Sequence, residues 1–184
     1  MIGHDIGEDL RTRLASYVPV NEDERRAVLA VEALLDGPDP FSSGEFDPGH
    51  ITASAFVLHP TEHAIALILH TKIGRWLQPG GHVEAEDGSI VEAALREVRE
   101  EVGVGAADHP WLCDVDVHVF PARSDVPRHL HHDVRVAFTA DSARLVVGDG
   151  ADDVRWWPLS DALTLDRSIA RPAAKLGDWL RQRN

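Results

Sequence analysis

The sequence has a single cysteine, Cys113. No intrachain disulfide can form, and a reducing compartment is expected. Cations are scarce: 18 Lys and Arg against 31 Asp and Glu leave a formal net charge of −13 at pH 7. That balance argues against nucleic acid as a bulk partner, because phosphate backbones need a basic surface. It still allows a small phosphate substrate if a metal supplies the positive field locally. No stretch is apolar for long enough to span a bilayer, and Met1-Ile2-Gly3-His4-Asp5 lacks the basic region and apolar run of a leader. A cytoplasmic protein with no membrane partner is the expectation. Internal repeats and low-complexity segments are also lacking.

What is present suits one well-buried core with a small appendage: 184 residues, 43% hydrophobic and 27% charged. Ile6, Leu10, Leu14 and Tyr17 fall at helical spacing. Asn21 with Glu24 three residues on reads as a capping box, and Ala27, Val28, Val31, Leu34 and Leu35 form the stripe of a second helix. Residues 5–36 therefore read as a helical hairpin packed on the main domain, with a lid or a homodimer contact as its second reading. The Gly, Pro and Ser of residues 37–49 form a linker. The expected organisation is an N-terminal extension and linker over 1–45 and the main domain over 46–184. From Ile51 the periodicity turns to strands: 51–58 and 64–70 as a hairpin, then 114–119, 129–138, 144–147 and 154–157. Residues 159–163 and 166–181 close the chain as helices.

One stretch organises the rest: Gly80-Gly81-His82-Val83-Glu84-Ala85-Glu86-Asp87-Gly88-Ser89, running on to Arg96-Glu97-Val98-Arg99-Glu100-Glu101-Val102-Gly103-Val104. Ser89 with Glu92 caps a helix beginning near Ile90, and Gly103 is placed to end it. Val91, Leu95, Val98 and Val102 share its buried side, while Glu97, Glu100 and Glu101 are expected together on the opposite side, with Arg96 one turn before Glu100. Three carboxylates so spaced repel one another. A hard divalent cation relieves that repulsion, because clustered oxygen ligands suit magnesium or manganese.

These residues resemble the Nudix box, the signature of the Nudix hydrolase family. Arg96 to Val104 matches the second half in full. The first half departs from it, with Asp87 where Glu is usual and one residue inserted ahead of the helix. Trp76-Leu77-Gln78-Pro79-Gly80-Gly81 is similar to the segment that leads into the box, and Trp156-Trp157-Pro158-Leu159 to the family's last strand. The resemblance implies an α/β fold, the Nudix α/β/α sandwich with a mixed sheet, here preceded by the helical hairpin. It implies that Glu97, Glu100, Glu101 and the Gly80 carbonyl hold Mg2+, with Mn2+ as the alternative. Arg96 would orient a neighbouring carboxylate, and Glu97, Glu100 and Arg96 would serve catalysis. Metal-activated water would cleave a nucleoside diphosphate linked to another moiety, or a related organic pyrophosphate. The candidates for the base are Glu97, Asp149, Asp152 and Asp153, the last three expected on a loop. A catalytically silent nucleotide or ADP-ribose sensor is the alternative function. An isoprenoid diphosphate isomerase would need a catalytic cysteine, and Cys113 lies outside any recognisable motif.

Two strands carry a second constellation. Asp114, Asp116 and His118 share one strand face, and His129, His131, Asp133 and Arg135 share another. If the strands are antiparallel neighbours, these ladders oppose each other. The reading favoured here is a substrate-facing wall of imidazoles and arginine, with cross-strand ion pairs on a sheet face as the plainer one. Histidines at this spacing can hold zinc, but cysteine partners are lacking. Trp76 is a candidate to stack on a base.

Overall fold

A computed structural model describes residues 3–123 and 125–183. Two helices, α1 (Gly3–Ser16) and α2 (Glu22–Leu35), precede β1 (His50–Leu58), β2 (Ala64–His70), β3 (Trp76–Leu77) and β4 (Gly80–His82). Then follow α3 (Ile90–Val102), β5 (Trp111–Phe120), β6 (His129–Thr139), β7 (Ala151–Pro158), α4 (Leu159–Ala162) and α5 (Arg167–Arg183). The sheet runs β3-β2-β1-β6-β5, with β7 on β2 and β4 on β1. It is mixed, because β1 and β6 run parallel while the other pairs are antiparallel. All nine residues of β1 are buried, the polar His50, Thr52 and Ser54 along with the apolar ones, as a central strand covered on both faces requires.

Alternation along β1 and β2 divides the core into two layers. Ile51, Ala53, Ala55, Val57, Ala66 and Ile68 pack beneath α1, α2 and α3. Phe56, Leu58, Ile65 and Leu67 pack beneath α4 and α5, through Leu159, Ile169, Ala173 and Leu176. This is the expected α/β/α sandwich. The two N-terminal helices enter the first layer through Ile6, Leu10, Leu14, Ala27, Val28, Val31 and Leu34.

Two sequence expectations are corrected. Residues 144–147 form no strand; they run as irregular chain against the end of α3, where the Val146 amide donates to the Val102 carbonyl. The β1–β2 pairing is also short, registered at Leu58↔Ile65. Below that point β2 parts from β1, and β4 takes its place at Thr52, Ala53 and Ser54. The glycine pair sits in this split.

Candidate active site

Gly80 and Gly81 face opposite sides of the sheet, as successive strand residues must. A Cβ at Gly80 would lie 2.3 Å from the Ser54 Cβ and 2.7 Å from the Ala53 carbonyl oxygen. A Cβ at Gly81 would lie 2.6 Å from a Glu97 carboxylate oxygen. The first glycine lets β4 close on β1, and the second makes room for Glu97. α3 is held in place beside them by its ends. Ser89 accepts the Glu92 amide, and Gly103 closes the helix in the left-handed conformation at φ 72°. The reciprocal half of the capping box falls one residue early, with Glu92 accepting from the Gly88 amide at 2.9 Å.

Arg96 ties the glycine loop to the helix. Its Nη2 donates to the His82 carbonyl at 2.8 Å and to Asp87 at 3.0 Å, while its Nη1 reaches Glu97 at 2.9 Å and Glu100 at 3.3 Å. Asp87 is buried and also accepts the Glu84 amide at 2.8 Å, so the aspartate that departs from the box pattern anchors both loop and arginine.

The three glutamates do not share one exposed face. Glu100 is half-exposed, Glu97 is mostly covered, and Glu101 is 7% exposed, turned into the protein. The Gly80 amide, on the edge of β4 away from β1, donates to Glu101 at 2.9 Å. Burial pushes the Glu101 carboxyl up to about 8, opposed by that amide and assisted by Glu97 and Glu100. Burial also raises Glu97, with Arg96 opposing. Arg96 draws Glu97 and Glu100 one way and Gly80 holds Glu101 another, so the three carboxylates are not gathered to mutual ligand distance. Their donor set is nonetheless all oxygen, on adjoining turns of one helix beside the Gly80 backbone, and that set fits a hard divalent cation.

The polar ladders oppose each other as expected, with Asp114↔Arg135, Asp116↔Asp133, His118↔His131 and Phe120↔His129 in register. One end is closed. Arg135 is 1% exposed and donates to Asp133 at 2.7 Å, to Asp114 and Asp116 at 3.1 Å each, and to the Ser168 carbonyl at 3.0 Å. Burial opposes its charge, yet the three aspartates hold it above the ordinary arginine range. Asp133 also accepts from Thr52, Ser54 and Gln78. Asp133 and Arg135 therefore form an internal ion cluster beneath α5 rather than the substrate-facing wall read from the sequence. The reason is Arg171 and the start of α5, which cap this end.

The other end carries His118, His129 and His131, joined by two histidines from outside these ladders, His50 and His82. The pairings His50↔His131 and Thr52↔His82 bring them onto this face. The signal was parity along β1, and using it requires knowing that β1 lies parallel to β6. Trp76 packs its ring 5.4 Å from that of Trp157, at the rim of the second core layer. Asp152 and Asp153 lie within β7 rather than on a loop, bonded to Thr71 and Arg155. The Asp149 amide donates to the Glu100 carbonyl, which leaves Asp149 beside the acidic turn.

The NUDIX domain family model matches residues 48–180. No curated protein sequence matches the chain. Among solved structures, a C. elegans Ap4A hydrolase binary complex is similar at TM-score 0.54 and 15% identity, over 72% of this chain and 98% of that one. The NUDIX domain of Shewanella oneidensis NrtR complexed with ADP ribose is similar at TM-score 0.53 and 18% identity, over 83% of this chain and 96% of that one. The MutT protein of Bacillus halodurans is similar at TM-score 0.52 and 19% identity, over 68% and 79%. At such identities the structures attest the fold. The family match spans every strand of the sheet together with the acidic helix, and the chain belongs to the Nudix family.

Proposed function

We propose that the chain is a magnesium-dependent pyrophosphohydrolase that cleaves a nucleoside diphosphate linked to another moiety, or a related organic pyrophosphate. The observation that carries this reading is the acidic turn of α3, set against the glycine pair where the sheet splits. Glu97, Glu100 and Glu101, with the Gly80 carbonyl, would hold the cation, and Mn2+ suits the same oxygens. When bound, the cation supplies charge neutralisation at the diphosphate oxygens and an acidified water. Arg96 fixes the carboxylates of Glu97 and Glu100 and leaves Glu100 facing solvent. Burial raises the proton affinity of Glu97, which suits it to take the proton of the attacking water. Asp149, tied to α3 through its amide, is the second candidate for that role.

A cation-binding oxygen cluster suits a diphosphate, and the nucleotide part of the reading is supported by the names of two similar structures, an Ap4A hydrolase and a NUDIX domain complexed with ADP ribose. The direct test is a panel of nucleoside triphosphates, nucleotide sugars, dinucleoside polyphosphates and ADP-ribose, assayed with Mg2+ and with Mn2+. Metal-dependent release of a mononucleotide or phosphate product from one class is the expected result. Tight ligand binding without turnover across the panel would support the sensor reading instead.

A further inference from the structure

We propose that His50, His82 and His131 form a second metal site, built for a transition-metal dication of the zinc class and separate from the carboxylate site for a hard cation. Among the described residues, these three are the one trio whose potential ligand atoms all lie within 4.8 Å of one another. They come from three strands, β1, β4 and β6. Their ring centroids are 5.1 Å apart for His50 and His82, 4.9 Å for His50 and His131, and 5.5 Å for His82 and His131.

The tautomers point the same way. The Nδ1 of His50 lies 2.9 Å from the Glu45 carbonyl oxygen, which can only accept, so Nδ1 carries the proton and Nε2 the lone pair. That Nε2 is buried and has no hydrogen-bond partner. A fully buried imidazole with an unpartnered lone pair among other imidazoles is costly unless something accepts the pair. A backbone carbonyl on the far nitrogen is also how metal-binding histidines are commonly oriented. His129 repeats the arrangement: its Nδ1 lies 2.8 Å from the Pro127 carbonyl, and its Nε2 lies 3.0 Å from that of His131. His129 is a positioning residue for the trio.

Three nitrogen donors select against magnesium and in favour of zinc, cobalt, nickel or copper. His82 is exposed, so the site opens to solvent on the side of β4. The metal would pin β4, which carries the glycine pair, to β1 and β6.

The test uses the full chain without a histidine tag, stripped with a chelator and titrated with Co2+ as a spectroscopic probe. The expected result is a strong visible band, of the kind a four-coordinate Co2+ with three nitrogen ligands gives, that saturates at one equivalent per chain. Zn2+ should displace it, and excess Mg2+ should not. His82→Ala, chosen because its ring is exposed, should weaken binding by at least roughly tenfold with an unchanged circular dichroism spectrum. Glu100→Gln should leave the spectrum intact. Absence of the band, displacement by Mg2+, loss in Glu100→Gln, or wild-type binding in His82→Ala would each overturn the proposal. The readout is spectroscopic, so its failure leaves the hydrolytic reading standing.

Discussion

Glu101 shows how much of the site's chemistry is decided by where one side chain lies. Its carboxyl titrates at about 8 instead of 4.5 because it is buried, with one backbone amide for compensation. The folded chain therefore holds this proton more tightly than the unfolded chain does. Stability from the neutral form is full below about pH 4.5 and is lost as the pH rises through about 8. In chelator, the melting temperature of the wild type should fall across that window. Glu101→Gln keeps an acceptor for the Gly80 amide and removes the titration, so its melting temperature should be flatter with pH and higher near pH 8. Parallel slopes for the two proteins would show that Glu101 does not carry this linkage. The sequence showed three carboxylates at metal-binding spacing. It did not show that one of them turns inward, because that depends on the close approach of Gly80 to β1.

Among the elements, the β5–β6 ladder was the most legible part of the site and also the part whose role changed. Alternation in both strands, broken only at His132, gave the two polar faces correctly, since period-two patterning survives any tertiary context that buries one side, and the ladders do oppose each other. The cover over that face was not legible. Ser168, Arg171 and Lys175 arrive from α5, some thirty to sixty residues away in sequence, and enclose one end of the ladder. Arg135 thus sits among three aspartates with no face open to a ligand. Removing one partner from such a cluster costs about 3–5 kcal/mol. Arg135→Ala should lower the melting temperature by roughly 10 °C, while kcat/KM on the folded fraction stays near that of the wild type. A ten- to hundredfold fall in kcat/KM at an unchanged melting temperature would return Arg135 to the substrate. Thermal melts and kinetics on the same preparation decide it.

For the whole molecule, the acidic helix and its caps followed from local patterning and short-range chemistry, and the sandwich from the family resemblance those residues carry. The parallel β1–β6 pairing and the split that admits β4 did not, because long-range pairing leaves no local trace. The N-terminal helices illustrate the same limit. Their apolar stripes were plain, and Asn21 caps α2 as expected by accepting the Glu24 amide at 2.9 Å. The Glu24 carboxylate does not return to the cap; it is fully buried and accepts from Val20, Tyr17 and Lys175. Lys175 also donates to Asp114 at 2.7 Å, which joins α2, β5 and α5 through one ammonium. The hairpin should therefore unfold with the sheet. Melts followed by far-ultraviolet circular dichroism and by tryptophan fluorescence should coincide in a single transition, whereas an earlier helical transition would mark the hairpin as independent. The claim on which the account rests most is that the acidic turn of α3 performs the hydrolysis. Glu100 is its most exposed member, so Glu100→Gln should keep the fold. The decisive measurement is its kcat/KM at limiting Mg2+ on the best substrate of the panel, which should fall by about a hundredfold or more. Wild-type turnover in Glu100→Gln at limiting Mg2+ would contradict the account.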